Sequence, residues 1–293
     1  MEGTPTENGE VKKGIRSVAV VGATQVAVGL ALACALKGLP ASLIGMDHEA
    51  IAGARDWVSN FFEKGIEKGR FKRAEVYEIA ARLCFAMSYD PLRSADLIVE
   101  CAESDAEAKR RLFAEISGHA GPNAIAATHA SMLEIRSLAD AWGSPERFLG
   151  THFFNPVPLV NVVEIVVTPD TSKAAIEAVL DFCDRIGKQP VMCKDKPGLI
   201  VNRLMVPLML KAMKMYEEGN APEDVDAALE LAVGLKTGPL RLADSMGLDV
   251  VAKMAQTLYE YYDDPAYEPP DILLKLVEMK RLGKKTGHGF YRY

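Results

Sequence analysis

His152, one of five histidines, stands twelve residues before Glu164 in the stretch Gly150-Thr-His-Phe-Phe-Asn-Pro-Val-Pro-Leu-Val-Asn-Val-Val-Glu164. The chemistry that pair could do is proton transfer. Imidazole titrates nearest neutrality of all side chains, and a carboxylate that holds it lets it take and return a proton at working pH. Pro156 and Pro158 put a turn between the two groups, and Val160-Asn-Val-Val-Glu-Ile-Val-Val167 reads as a buried strand, so the sequence predicts a meeting across a loop and strand corner. A histidine among apolar residues is equally what a hydrogen-bonded core residue looks like. The elements around it decide between the two.

Those elements alternate. Arg16 to Val21 is a β-branched run ending at Gly22, followed by a helix through Lys37, Gly38 and a strand from Ala41 to Met46, which together open a dinucleotide-binding βαβ unit. A pyrophosphate would rest on the turn Gly22, Thr24, Gln25 and Val26 at the helix N-terminus. In the G-x-G-x-x-G pattern, however, the second and third places hold Thr24 and Ala27, and Gly45 stands where an acid should close the second strand, with Asp47 two residues later. The β-branched Thr24 is expected to crowd the pyrophosphate. A charged helical hairpin follows over Glu49 to Leu83, then strands Leu83 to Ser88 and Asp96 to Glu100, a helix Asp105 to Ser117, and a strand Asn123 to Thr128. After Glu164 come a helix from Ser172 to Ile186 and a last strand, Gln189 to Cys193. Such alternation predicts a Rossmann-type, doubly wound, mostly parallel sheet whose ligands gather at the carboxyl ends of its strands, and Glu100, Glu103, Ser131 and His152 all fall just beyond such ends.

Lys194-Asp-Lys-Pro-Gly198 marks a boundary. Beyond it helical spacing runs through Leu199 to Glu218, Pro222 to Val233, Arg241 to Tyr262 with a break near Gly247, and Pro270 to Arg281. The expected organisation is a loose polar arm at 1–13, an α/β dinucleotide-binding domain at 14–195 carrying the inserted hairpin, and an all-α domain at 196–293.

Composition narrows the function. Lys plus Arg number 34 against 40 Asp plus Glu, a net charge of −6 without long like-charge runs, which argues against nucleic acid or an anionic membrane as partner. Apolar runs are far shorter than the roughly 20 residues that cross a bilayer. The five cysteines, Cys34, Cys84, Cys101, Cys183 and Cys193, are scattered, lack metal-type spacing and read as buried thiols in a reducing compartment. No metal site is expected. The polar, acid-containing first thirteen residues fit neither a signal peptide nor a transit peptide, so a cytoplasmic protein acting on a small molecule is expected.

With these residues set out, the chain resembles the 3-hydroxyacyl-CoA dehydrogenase family, 3-hydroxybutyryl-CoA dehydrogenases included, over about residues 14 to 293. The likeness rests on Thr151-His-Phe-Phe-Asn-Pro-Val-Pro158, Lys196-Pro-Gly-Leu-Ile-Val-Asn-Arg203, Gly238-Pro-Leu-Arg-Leu-Ala-Asp244 with Gly247-Leu-Asp249, and Gly283-Lys-Lys-Thr-Gly-His-Gly-Phe-Tyr291. The resemblance implies oxidation of the 3-hydroxyl of an acyl-CoA with hydride passing to NAD, and a homodimer formed through the helical domain. It places His152 on the catalytic base, Glu164 on its orienting carboxylate, Ser131 on a serine that contacts the substrate oxygen, and Asn202 on an asparagine from the first helix of the second domain. Asn155 matches a residue near the nicotinamide, and Glu103 and Lys109 match cofactor contacts. Coenzyme A enters as part of the substrate.

The likeness departs at Thr24, Ala27 and Gly45, and at Thr128-His-Ala-Ser-Met-Leu133, where the family usually reads Thr-Asn-Thr-Ser-Ser-Leu. The proton-handling half is intact and the NAD-handling half is altered. NAD bound in an adjusted pose, a preference shifted toward NADP, and a subunit that binds acyl-CoA while a hetero-partner performs the oxidation all fit that pattern. A non-redox acyl-CoA-binding subunit and a proton transfer on an acyl-CoA by His152 and Glu164 are the alternative functions.

Overall fold

The computed structural model describes residues 14–102 and 105–293, so the N-terminal arm and Glu103 lie outside the described residues. The chain divides into two compact units. The first holds residues up to Ala130 with Glu134–Asp195, and the second holds Ser131–Leu133 with Lys196–Tyr293.

The first unit is one eight-stranded sheet built from β1 (Val18–Val21), β2 (Ala41–Ile44), β3 (Leu83–Ala86), β4 (Leu97–Glu100), β5 (Ile125–His129), β6 (Phe148–Phe153), β7 (Val162–Val167) and β8 (Gln189–Cys193), in the order β3-β2-β1-β4-β5-β6-β7-β8. Every pairing is parallel except β6 with β7. The inner strands β1 and β4 are buried along their whole length, as continuous apolar runs in a sheet covered on both faces must be. Helix α1 (Gln25–Leu36) is apolar nearly all round and buries Ala27 through Ala35, which places the turn before it at the carboxyl edge of β1. The hairpin between β2 and β3 is α2 (His48–Glu67) and α3 (Arg73–Ala80); α4 (Ala106–Ser117) links β4 to β5, and α6 (Lys173–Arg185) links β7 to β8.

A helix, a 3-10 turn (Pro145–Arg147) and the start of a strand occupy the stretch from Leu133 to Gly150 that periodicity leaves unassigned. Helix α5 (Arg136–Trp142) is only seven residues long, too short to show a helical repeat, and β6 begins at Phe148 and runs through His152. His152 and Glu100 therefore lie inside strands, not beyond their ends. Cys84 is also a correction to the expected buried thiols, for it is exposed on the edge strand β3. Burial pushes the Cys34 and Cys183 thiols up to about 12, so those two are inert core residues.

The second unit is a helix bundle of α7 (Val201–Glu217), α8 (Pro222–Val233), α9 (Pro239–Met246), α10 (Leu248–Tyr262) and α11 (Asp271–Glu278). Gly247, at φ +101°, makes the break between α9 and α10. Its two buried acids bind backbone. Asp226 accepts from Leu240 N, Arg241 N and the Tyr291 hydroxyl, and Asp244 accepts from Phe290 N, Tyr291 N and the Tyr293 hydroxyl. A Cβ on Gly289 would stand 2.0 Å from Asp244 Oδ1. The Gly238–Asp244 and Gly283–Tyr291 motifs thus interlock as a clasp that ties the last residues of the chain to α8 and α9.

Candidate active site

In the antiparallel pair β6·β7, His152 is the register partner of Glu164. Directly opposed residues on one face of such a pair bring their side chains together. Nδ1 of His152 lies 2.6 Å from Glu164 Oε2, with Glu164 1% and His152 9% exposed. The contact is made strand to strand, in place of the loop and strand corner expected. The carboxylate accepts from Nδ1–H, which leaves Nε2 as the lone-pair nitrogen, and among the described residues Nε2 makes no hydrogen bond. Cys193 on β8 offers its thiol to Glu164 Oε1 at 3.7 Å.

The β6–β7 connection is pinned from two sides. The buried Lys188 ammonium donates to the carbonyls of Val157 and Val160, and Asn155 Nδ2 donates to Gln25 Oε1 at 2.9 Å. The second bond joins the loop after His152 to the glycine turn, 130 residues away in the chain. Gly29 lets α1 approach that loop, since a Cβ there would come within 3.1 Å of Val157 Cβ.

At the turn itself Gly22 has φ +113°, and a Cβ on it would meet Ala102 N at 2.9 Å, so only glycine fits. Thr24 does not present its hydroxyl to a pyrophosphate. It is the N-cap of α1: its Oγ1 accepts from Ala27 N and donates to the Cys101 carbonyl at 2.9 Å. The amides of Gln25 and Val26 in the first turn have no partner among the described residues, so two backbone donors are left over at the N-terminus of α1. Position 45 is filled by packing, as a Cβ there would lie 3.1 Å from Ile51 Cδ1 and 3.3 Å from Ala23 Cβ. Asp47 is exposed and caps α2 through Oδ1, which accepts from Glu49 N and Ala50 N.

Lys109 requires a correction. Its ammonium is buried against both oxygens of Glu100 at 2.7 Å and the Ala102 carbonyl at 3.0 Å, so it is committed internally and not turned out toward a cofactor. Glu100 also accepts from Thr128 Oγ1 and Ala102 N. The short span from the end of β4 to α4 brings the two charges together, because a bare buried carboxylate at the strand end would be costly. Ser131, expected at the edge of the sheet, belongs to the second unit. Its carbonyl accepts from Gly198 N, and Met132 packs on that unit's core. Asn202 lies in the first turn of α7. Neither Ser131 Oγ nor the Asn202 amide makes a hydrogen bond among the described residues.

The sequence compares directly with known proteins. The model of the 3-hydroxyacyl-CoA dehydrogenase NAD binding domain matches residues 17–196, and that of the C-terminal domain of the same enzymes matches residues 198–293. The chain belongs to the 3-hydroxyacyl-CoA dehydrogenase family. It is 35% identical to the mitochondrial hydroxyacyl-coenzyme A dehydrogenase of Mus musculus, covering 95% of this chain and 91% of the relative, and 36% identical to a 3-hydroxybutyryl-CoA dehydrogenase of Mycobacterium tuberculosis, covering 95% and 99%. The solved structure of (S)-3-hydroxybutyryl-CoA dehydrogenase from Ralstonia eutropha superposes with a TM-score of 0.90 at 34% identity, over 96% of this chain and 99% of that one.

The dehydrogenase is therefore an NAD-dependent oxidoreductase of 3-hydroxyacyl-CoA thioesters, and the non-redox alternatives are not favoured. No helix among its described residues is long and apolar enough to cross a membrane, and no cluster of three metal-ligating side chains occurs among them. Sequence reasoning missed the Gln25–Asn155 bond, the Lys188 bonds to the β6–β7 loop and the place of His129 beside His152. Only the substitution of His129 for the family's usual asparagine signalled the last.

Proposed function

We propose that His152 Nε2 takes the proton of the substrate 3-hydroxyl as the hydrogen on the same carbon departs as hydride, leaving the 3-ketone. The observation that carries this reading is the Nδ1 bond to Glu164 at 2.6 Å with Nε2 uncommitted, the tautomer a general base needs. NAD, when bound, supplies the acceptor for the hydride. The first-turn amides of Gln25 and Val26, beside Gly22, hold its pyrophosphate; Asn155, fixed by Gln25, borders the nicotinamide, and the remaining oxygen of Asp47 is the nearest replacement for the acid missing at Gly45. Glu164 keeps the proton on Nδ1 and faces the imidazolium as it forms. Ser131 Oγ and the Asn202 amide, both uncommitted, hydrogen-bond the substrate oxygens.

Relatives named for 3-hydroxybutyryl-CoA make acetoacetyl-CoA with NADH the test pair. His152→Gln is expected to lower kcat by about a thousandfold while NADH fluorescence titration shows parental affinity. Parental turnover in that variant would remove His152 as the base. Exposed apolar side chains on the second unit, Leu204 on α7 and Leu231 and Val233 on α8, support a homodimer through the helical domain, to be measured by sedimentation. The five cysteines, none of them joined in a disulfide among the described residues, support a reducing, cytoplasmic location.

A further inference from the structure

His129 ends β5 and pairs in register with Thr151, the residue before His152. Its ring turns back over β6. Nδ1 lies 3.2 Å from the Thr151 carbonyl and 3.3 Å from Phe153 N, the two main-chain groups that flank His152. One tautomer accepts from Phe153 N–H and the other donates to the Thr151 carbonyl; either ties the ring to the strand that carries the base. The same ring stacks on the His152 imidazole, centroids 5.3 Å apart and planes 24° from parallel, while Phe154 meets that imidazole edge-on at 4.6 Å. With Nδ1 bound to Glu164, the base is held at one nitrogen and by rings on its surface, and only Nε2 is left over.

We propose that His129 is a positioning residue of the general base: it clamps the main chain on either side of His152 and braces the imidazole, keeping Nε2 directed at the substrate hydroxyl. The inference rests on His152 being that base. The charged groups around the pair fit a neutral brace. Glu164 reaches from β7 to His152 and is already bonded there; from α4 the Lys109 ammonium lies 3.4 Å from the His129 carbonyl, paired with Glu100 of β4. Burial first, then the neighbouring His152 and Lys109, hold His129 down to about 3, so it stays neutral while His152 cycles between imidazole and imidazolium. A neutral ring presents a π-face to that imidazolium where a second cation would repel it. An asparagine at this position would supply hydrogen-bonding atoms but no ring.

The test uses the full-length dehydrogenase and two variants, His129→Asn and His129→Phe, assayed with acetoacetyl-CoA and NADH. NADH affinity and KM should stay within about twofold, because His129 spends its contacts on the main chain and ring of β6, while kcat of His129→Asn falls roughly ten- to hundredfold, as misplacement of a reacting group does. His129→Phe, which restores a ring face without the nitrogen, should recover part of that loss. Parental kcat in both variants, or a rise in KM that accounts for the whole loss, would overturn the proposal. Nitrogen-15 spectra of the parent imidazoles give a check independent of variant folding. His129 neutral from about pH 8 down to about pH 5 and His152 protonated at Nδ1 support the brace; titration of His129 in that interval refutes it. His152→Gln separates the two readings. If it is inactive while both His129 variants are parental, positioning alone fails; if it retains parental kcat, the base itself fails.

Discussion

In the first unit Glu164, 1% exposed, faces a histidine across a strand pair; in the second, Asp226 and Asp244, 2% and 1% exposed, face main-chain amides and tyrosine hydroxyls. Both units bury acids, and all three of these are satisfied. Asp244 gathers three donors, and its negative charge, after burial, pushes the Tyr293 hydroxyl up to about 12, so that hydroxyl does not give up its proton near neutrality. Glu164 instead holds a group with a second nitrogen to spare. Burial and charge alone do not mark a site; a site is where the partner of a buried charge keeps an uncommitted atom.

The difference can be broken at either end. The largest effect should follow Glu164→Gln, which keeps shape but removes the charge and the tautomer control: kcat should drop by roughly a hundredfold or more with Tm nearly unchanged, and a variant that loses Tm but not kcat would make Glu164 a clasp like Asp244. Asp244→Asn should do the reverse, lowering stability by about 2 kcal/mol as buried donors lose their acceptor, read by urea unfolding, with kcat per folded molecule unaltered. A comparable loss of kcat would erase the contrast between the units.

A pH series refines the contrast further. The His129 value of about 3 lies below its ordinary 6.5, so between those limits the unfolded chain binds the extra proton. Stability from this group is complete above about pH 6.5 and is lost as pH falls toward about 3, with a slope of at most about 1.4 kcal/mol per pH unit. His129→Phe should flatten that part of the unfolding profile; an unchanged slope would assign it to other groups. The smallest effect is expected at Thr24→Ala, where loss of the N-cap should cost about 1 kcal/mol and leave NADH affinity within about threefold, while clearly tighter binding would mean that Thr24 crowds the pyrophosphate after all.

Alternation of strands and helices, the glycine turn and the pairing of His152 with Glu164 were all legible in the residues, because periodicity, turn chemistry and side-chain ionisation are local properties. Several things were not. The antiparallel register that sets His152 opposite Glu164 depends on β7 reversing beside β6, and a shift of one residue would turn Glu164 to the other face. Capture of Lys109 by Glu100, the Gln25–Asn155 bond, the grouping of Ser131 with the second unit and the stacking of His129 on His152 each join residues whose nearness follows from strand order and packing. The sequence by itself determined which groups can exchange protons and which elements present them. Tertiary structure alone decided which of those groups are left unspent, since a side chain's last free donor or lone pair is known only once every neighbour is in place.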